Sequence, residues 1–321
     1  MTSANSTSII LSDFARDVLK GLNAFPKHIS SKYFYDERGD KLFQDIMHMP
    51  EYYLTDCEFE ILDHHKVSML EIIGEEHFDL IELGAGDGLK TKILLEYFIE
   101  KKADFTYCPV DISGNVLQEL EADVKSKWPT LDLKLMQGDY FDMLGKLHYR
   151  HHARKVILFL GSNIGNLTPE QAEDFIRRVQ ENMDSGDLLI TGFDLKKDPE
   201  VILNAYSDPA GITAAFNLNL LRRMNEELGA NFNLDHFKHW ETYNPISGAT
   251  KSYIISKVDQ EVEIKSLHRT FSFQAWEAID VELSQKFSVE EIEDLARATG
   301  FRVIKHFTDR RRYFVDSVWI K

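Results

Sequence analysis

The sequence predicts an α/β protein built on a mostly parallel sheet, with a second, smaller α+β domain made from the N-terminal segment and an insertion. Three observations predict it. Apolar runs of strand length alternate with helical patterns from Phe78 onward. The first of these runs ends in a glycine-rich turn, Gly84-Ala85-Gly86-Asp87-Gly88. A long stretch of different texture then separates the fifth run from a helix start at Ser288.

Each element follows from local chemistry. Phe78 to Leu83 is a buried strand, and the glycines after it remove Cβ atoms where backbone bends tightly or approaches a ligand. The helix that follows, about Lys90 to Glu100, offers free N–H groups at its start, so the turn can cradle a cofactor. A dinucleotide fingerprint would place a small residue at position 89, and this chain has Leu89. With an acid at Glu82 before glycines 84, 86 and 88, the segment resembles instead the first motif of Rossmann-like S-adenosylmethionine-dependent methyltransferases. A second strand, Phe105 to Asp111, ends in an acid placed where such folds accept hydrogen bonds from ribose hydroxyls. A third, Asp132 to Gln137, stops at Gly138-Asp139-Tyr140, and a fourth, Lys155 to Leu160, runs into Gly161-Ser162-Asn163-Ile164-Gly165-Asn166-Leu167. Ligands of open parallel sheets bind beyond the carboxyl ends of strands, which makes Asp139 and Asn166 site candidates; ordinary turn and cap chemistry is the alternative.

Thr168-Pro169-Glu170-Gln171 is a capping box that starts a helix running to about Met183, and the fifth strand is Asp187 to Phe193. A second capping box, Ser288-Val289-Glu290-Glu291, starts a helix that ends at Gly300. Phe301 to Phe307 and Tyr313 to Ile320 then pair around a charged turn, Asp309 to Arg312, like the sixth and seventh strands of the methyltransferase fold.

The insertion begins at Lys196-Lys197-Asp198-Pro199 and is too long for a loop. It predicts two helical stretches, the second from about Thr213 to Leu228 and stopped by Gly229. Phe237 to Tyr243 and Lys251 to Val258 flank a hairpin turn at Asn244 to Gly248, and more strand runs from Val262 to Phe273. The expected organisation is an S-adenosylmethionine-binding domain of residues 61–196 and 287–321, and a substrate-binding domain of residues 1–60 and 197–286 that covers the cofactor edge, with the substrate between them.

Composition narrows the partners. The chain has 321 residues, 43% of them hydrophobic, enough for a sizeable core. Against 53 acidic residues stand 37 basic ones, a net charge of −16 that disfavours nucleic acid. Residues 1–10 are polar and carry no basic leader with a long apolar run, and no stretch reaches membrane-spanning length, so the sequence predicts no membrane partner. Two cysteines, Cys57 and Cys108, read as unpaired buried thiols in a reducing cytoplasm. The histidines of 148–152 and His64-His65 lack the convergent spacing of a zinc motif, which predicts no metal. Arg310-Arg311-Arg312 reads as a solvated hairpin turn.

Across nearly the whole chain, a set of blocks in order resembles the L-histidine Nα-methyltransferases that open ergothioneine biosynthesis. The blocks are Tyr33 to Gly39, Pro50 to Tyr53, Glu82 to Gly88, Gly161 to Leu167, Gly211 to Asn217, Glu227 to Gly229 and Glu282 to Phe287. The resemblance implies S-adenosylmethionine contacts at Gly84, Gly86, Lys92, Asp111 and Asp139, with Tyr140 beside the adenine and Tyr35 over the methionine end. It implies that Tyr52, Asn166 and Tyr206 hold the amino acid's α-amino and carboxylate groups and so carry the catalysis. Thr213 would add a contact through water, and Glu282 and Ser284 would read the imidazole. A carboxylate and a hydroxyl can together serve both ring nitrogens. The chain departs from the family's pattern at Trp276 and Val281, where a glycine and a threonine are expected, and at Ser252-Tyr253, where a methionine is. The implied product is the Nα-trimethyl betaine hercynine, formed by successive methyl transfers. Another aromatic amino acid such as tryptophan, or cofactor binding without turnover, are the alternatives.

Overall fold

A computed structural model describes residues 11–148 and 153–321; the polar N-terminal decapeptide and most of the 148–152 histidine run lie outside the described residues. The strands in chain order are β1 Lys27–His28, β2 Phe78–Leu83, β3 Phe105–Asp111, β4 Asp132–Leu133, β5 Met136–Gln137, β6 Arg154–Phe159 and β7 Leu188–Asp194. They continue with β8 Phe237–Tyr243, β9 Ala249–Ser256, β10 Gln260–Ile264, β11 Arg269–Phe273, β12 Ala278–Gln285, β13 Arg302–Thr308 and β14 Phe314–Ile320. The helices are α1 Asp13–Asn23, α2 Glu37–Met47, α3 Tyr53–Ile73, α4 Thr91–Glu100, α5 Gly114–Lys127 and α6 Tyr140–His148. After them come α7 Pro169–Glu181, α8 Pro199–Tyr206, α9 Ile212–Leu228 and α10 Val289–Ala298.

The chain divides into two compact units. One holds Tyr53–Asp198, Pro245–Ala249 and Ser284–Lys321. Its sheet runs β13-β14-β7-β6-β2-β3-β4, with β5 also on β3. The strands from β4 to β7 pair in parallel, whereas β14 is antiparallel to both β7 and β13. The last strand therefore slots between the fifth and sixth of the sheet, the closing hairpin that the sequence suggests. β2 and β7 are buried at every position, as strands covered on both faces must be. Both capping boxes form, at Thr168 and at Ser288. The expected third strand is two short strands instead, in one unbroken register on β3, because Pro109 of β3 has no N–H to give to the segment between them.

The second unit holds the residues through Tyr52, Pro199–Asn244 and Thr250–Leu283. The expected division after residue 60 would cut α3, a continuous helix of 21 residues, and the boundary falls before that helix. A four-stranded sheet, β1-β12-β9-β8, packs with α1 and α9 around a core that includes Phe14, Phe34, Phe216, Leu220, Phe237 and Phe273. Two helices and the Phe237–Tyr243 strand stand where expected, and Gly229 caps α9 in the left-handed region. The expected strand from Val262 to Phe273 is instead a hairpin, β10 against β11, folded over a turn at Lys265–Leu267 with His268 at φ 48°.

The charged turn between β13 and β14 is organised from within. Asp309 accepts the N–H groups of Arg311, Tyr313 and Phe314, and the Arg311 guanidinium lies over the Tyr313 ring. His64 meets Arg310, and His65 stacks on Phe307. Among the described residues no three His, Cys, Asp or Glu side chains converge as metal ligands, and no helix is long and apolar enough to cross a membrane.

Close approach fixes one glycine. A Cβ on Gly39 would run into the Phe34 carbonyl oxygen, while the Gly39 N–H is bound by the N-cap carboxylate of Asp36. Gly39→Ala is expected to destabilise the protein by about 1–3 kcal/mol through overpacking, read from the midpoint of urea unfolding with an unchanged slope.

Candidate functional site

The glycine turn is fixed by backbone geometry. Gly84 and Gly86 have φ of 74° and 53°, which L side chains rarely adopt. The N–H groups of Gly84 and Ala85 donate to the Val110 carbonyl at 2.9 and 3.2 Å, tying the turn to the end of β3. Gly86 donates to one oxygen of Asp111 at 3.2 Å and Ser113 to the other at 2.9 Å. A Cβ on Gly84 would come within 2.7 Å of the Tyr140 hydroxyl, but one on Gly86 would meet nothing within 4 Å. The turn thus leaves open space over Gly86, beside a ribose-binding type of carboxylate, and a nucleoside fits that donor and acceptor set.

Beneath the turn, Glu82 accepts from the Thr91 and Tyr107 hydroxyls and is 5% exposed. Burial pushes its pKa up to about 7, the two hydroxyl bonds resisting. The Tyr140 ring meets Phe159 and Phe175 edge-on, and its hydroxyl is pushed up to about 12 by burial, then by the charges of Asp111 and Asp139. Asp139 accepts the Phe141 N–H at 2.9 Å, so it performs cap chemistry at the start of α6 whatever else it does. Gly84, Gly86, Asp111 and Tyr140 come together, with Asp139 adjoining Tyr140 in the chain. Lys92 is engaged in an ion pair with Asp123 on α5.

Three residues beside these groups were not singled out in the sequence. Ile112, directly after Asp111, is 79% exposed and offers an apolar face at the strand end. Glu58 is fully buried, accepts the Gly161 N–H at 2.8 and 3.0 Å and pairs with Lys90. An acid on the apolar face of α3, beside Cys57 and Ile61, was the available signal for Glu58. Asn163, whose amide would lie 3.8 Å from a Cβ on Gly84, had no signal beyond its loop.

Asn166 is exposed at the end of a short helical turn, Asn163–Asn166. That turn lies against the end of β12, because a Cβ on Gly165 would come within 2.8 Å of the Gln285 carbonyl oxygen. Ser284 is buried there, and its hydroxyl accepts from the Lys286 ammonium at 2.8 Å. Lys286 also pairs with Asp194 at 2.8 Å, and Asp194 accepts from Lys197 and from the Tyr53 hydroxyl at 2.9 Å. Burial works to raise the Asp194 pKa, but the Lys286 and Lys197 charges outweigh it and hold the carboxyl below its usual range.

In the second unit an aromatic cluster gathers three of the expected residues. Tyr52 meets Tyr206 at 6.2 Å between ring centroids and Phe43 at 6.4 Å, and Tyr35 meets Phe43 at 5.5 Å, all edge-on. Tyr206 is held from behind by His239, whose Nε2 is 3.0 Å from the Tyr206 carbonyl. Tyr35 keeps 43% of its surface open, yet burial around the hydroxyl, then the charges of Glu282 and Asp40, raise its pKa. Glu282 accepts from the Ser252 hydroxyl at 2.9 Å across the sheet. Thr213 is buried at the start of α9, its N–H bound by Asp208 at 2.8 Å.

A family model described as "Histidine-specific methyltransferase, SAM-dependent" matches residues 14–321. The histidine N-alpha-methyltransferase of Mycolicibacterium smegmatis is 35% identical, over 92% of this chain and 90% of that protein. That of Mycobacterium tuberculosis is 34% identical, over 95% and 94%. The ergothioneine biosynthesis protein 1 of Neurospora crassa is 29% identical over 90% of this chain and 32% of its own length.

The buried acid under the turn yields a pH prediction. Glu82 has an ordinary value of 4.5 and a folded value of about 7, so its stabilising proton is fully present below 4.5 and lost as pH rises through 7. Stability is therefore expected to fall between pH 5 and pH 8 by on the order of 3 kcal/mol from this group. Glu82→Gln, which stays neutral, is expected to flatten that slope in urea unfolding at the two pH values; an equal slope in the variant would remove Glu82 as its source.

Proposed function

The chain belongs to the family of histidine-specific, S-adenosylmethionine-dependent methyltransferases, and on that premise we propose that it methylates the α-amino group of L-histidine three times to give hercynine, in ergothioneine biosynthesis. What carries the reading is a family match over residues 14–321 on a chain whose glycine turn leaves room for a nucleoside beside Asp111. The donor's sulfonium supplies an activated methyl group, released with both bonding electrons going to sulfur. The amine must arrive neutral, and a reference pKa of about 8 leaves a substantial neutral fraction at mildly alkaline pH. One proton leaves the nitrogen for water before each of the three transfers, and the trimethylated product has none left to lose.

The chain's own residues then act by orientation. Tyr52, Tyr206 and Asn166 hold the α-amino and carboxylate groups so that the nitrogen lone pair faces the methyl carbon, and Thr213 adds a contact through water. The edge-on pairing of Tyr52 and Tyr206 supports this, since each ring fixes the other's hydroxyl direction. Aromatic faces also tolerate an ammonium that becomes permanently charged after the third transfer. Tyr35 covers the methionine end of the donor, Gly84, Gly86, Asp111, Asp139 and Tyr140 hold its nucleoside, and Lys92 contributes through the start of α4. Glu282 and Ser284 read the ring. Ser252 supports the first of these roles by donating to Glu282, which keeps the carboxylate aimed. Two free buried cysteines suit a reducing cytoplasmic setting.

Incubation of histidine with S-adenosylmethionine is expected to give mono-, di- and trimethylated products resolved by mass spectrometry, and an amino-acid panel without a methylated histidine would sink the reading. Glu282→Ala is expected to lower kcat/KM for histidine by roughly 10- to 100-fold, the loss of one charge-assisted hydrogen bond, with calorimetric cofactor affinity unchanged. Equal histidine turnover in that variant would refute the role given to Glu282.

A further inference from the structure

Asp316 lies in β14, fully buried, and among the described residues neither of its oxygens has a donor. A carboxyl so placed must find a proton or a partner. Its neighbours in the sheet offer none: Phe307 of β13 and Gly192 of β7 stand directly opposite it. The missing side chain at 192 lets another group in. A Cβ there would run into Oε1 of Glu58, a fully buried residue of α3, so the Glu58 carboxyl occupies the space beside Asp316 on the same face of the sheet. The two carboxyls are within hydrogen-bonding reach. They can bond only through a proton, since an ionised carboxylate has acceptors alone. Glu58 already accepts from the Gly161 N–H at 2.8 and 3.0 Å and from the Lys90 ammonium, so the proton lies on Asp316, which has no donor of its own. We propose that Asp316 and Glu58 are positioning residues for the acceptor loop: the Asp316 O–H donates to Glu58, and Glu58, held so, fixes Gly161 and the turn that carries Asn166.

This deepens the histidine reading and rests on it, because Asn166 takes its role from that reading. Glu58 and Lys90 are the charged groups that face Asp316, and Glu82 on β2 feels the charges of both. Burial, then the charge of Glu58, push the Asp316 carboxyl well above its usual range, with Lys90 opposing. The cluster also joins two loops at the carboxyl ends of the strands. Lys90 immediately precedes α4, and its ammonium would lie 3.3 Å from a Cβ on Gly161. The Asn163 amide nitrogen would lie 3.6 Å from that Cβ and 3.8 Å from one on Gly84. The loop that bears Asn166 is thereby set against the glycine turn, and the buried proton keeps Glu58 in the orientation that reaches both Gly161 and Lys90. Without that proton two carboxylates would face each other, and their like charge would loosen the grip on Gly161.

The test uses the full chain as three proteins: wild type, Asp316→Asn and Asp316→Val. An asparagine amide donates to Glu58 without a titrating proton, whereas valine cannot donate. Infrared spectra of the substrate-free proteins at neutral pH are expected to show the C=O stretch of a protonated carboxyl in the difference between wild type and Asp316→Asn, the contribution of Glu82 being common to both. Asp316→Val is expected to lower kcat/KM for histidine by roughly 10- to 100-fold, with calorimetric S-adenosylmethionine affinity little changed. Its urea midpoint is expected to be no lower, because an apolar group in place of a buried carboxyl often leaves stability equal or higher. Asp316→Asn is expected to recover most of the activity that the valine variant loses. If Asp316→Val does not fold, Asp316→Ala, which removes the donor without adding bulk, is assayed in its place. A difference spectrum without the band, an Asp316→Asn as poor as the valine variant, or full activity in the valine variant would each overturn the proposal while leaving the histidine reading intact. A wild type that shows the band but methylates no histidine would instead overturn the histidine reading, and the positioning role with it.

Discussion

A carboxylate without solvent contact, Asp194, ends β7 and stays ionised there because Lys197, Lys286 and the Tyr53 hydroxyl converge on it. Taking three charges out of water is costly, and the arrangement holds only if geometry and hydrogen bonds return that cost in full. Here they do so by uniting distant chain segments. Tyr53 opens α3, Lys197 follows β7 directly, and Lys286 follows β12. The Asp194 N–H also donates to Ser162, the residue before the Asn163–Asn166 turn. One group thus fixes the start of the longest helix, the carboxyl end of a central strand and both loops that border it.

The consequence is local rigidity where open sheets bind their ligands. Loops at strand ends are ordinarily the mobile part of such folds. In this chain the turn carrying Asn166 is pressed against the Gln285 backbone, and Glu58 grips the Gly161 N–H with both oxygens. Two buried carboxylates, each matched by lysine, therefore hold the ends of β6 and β7 from below. A methyl-transfer site that works by alignment gains from this, because an error of about 1 Å at the reacting atoms can cost a hundredfold in rate.

How legible each feature was in the sequence depends on what kind of constraint made it. Buried parallel strands are continuous apolar runs, and helix starts use capping boxes, so β2, β3, β6, β7, α7 and α10 stand within a residue or two of their expected places. The glycine turn was legible because backbone conformation demands those residue types. Misreadings arose where no such signal exists. The hairpin between β10 and β11 turns on His268 in the left-handed region, with no glycine or proline to mark it. The third strand breaks opposite Pro109 of β3, a pairing that alternation cannot reveal.

The ionic hub was less legible still, for a reason that bears on the site as a whole. Lys196-Lys197-Asp198-Pro199 is legible only as the start of the insertion, yet Lys197 is buried against Asp194 with the Tyr53 ring under its ammonium. Burial of a charge depends on partners brought together by folding, so it leaves no periodicity in the chain. The same holds for Lys286, fully buried between Asp194 and the Ser284 hydroxyl. Family resemblance could point to Glu282 and Ser284, but the ammonium that Lys286 places on the serine appears only in the folded chain.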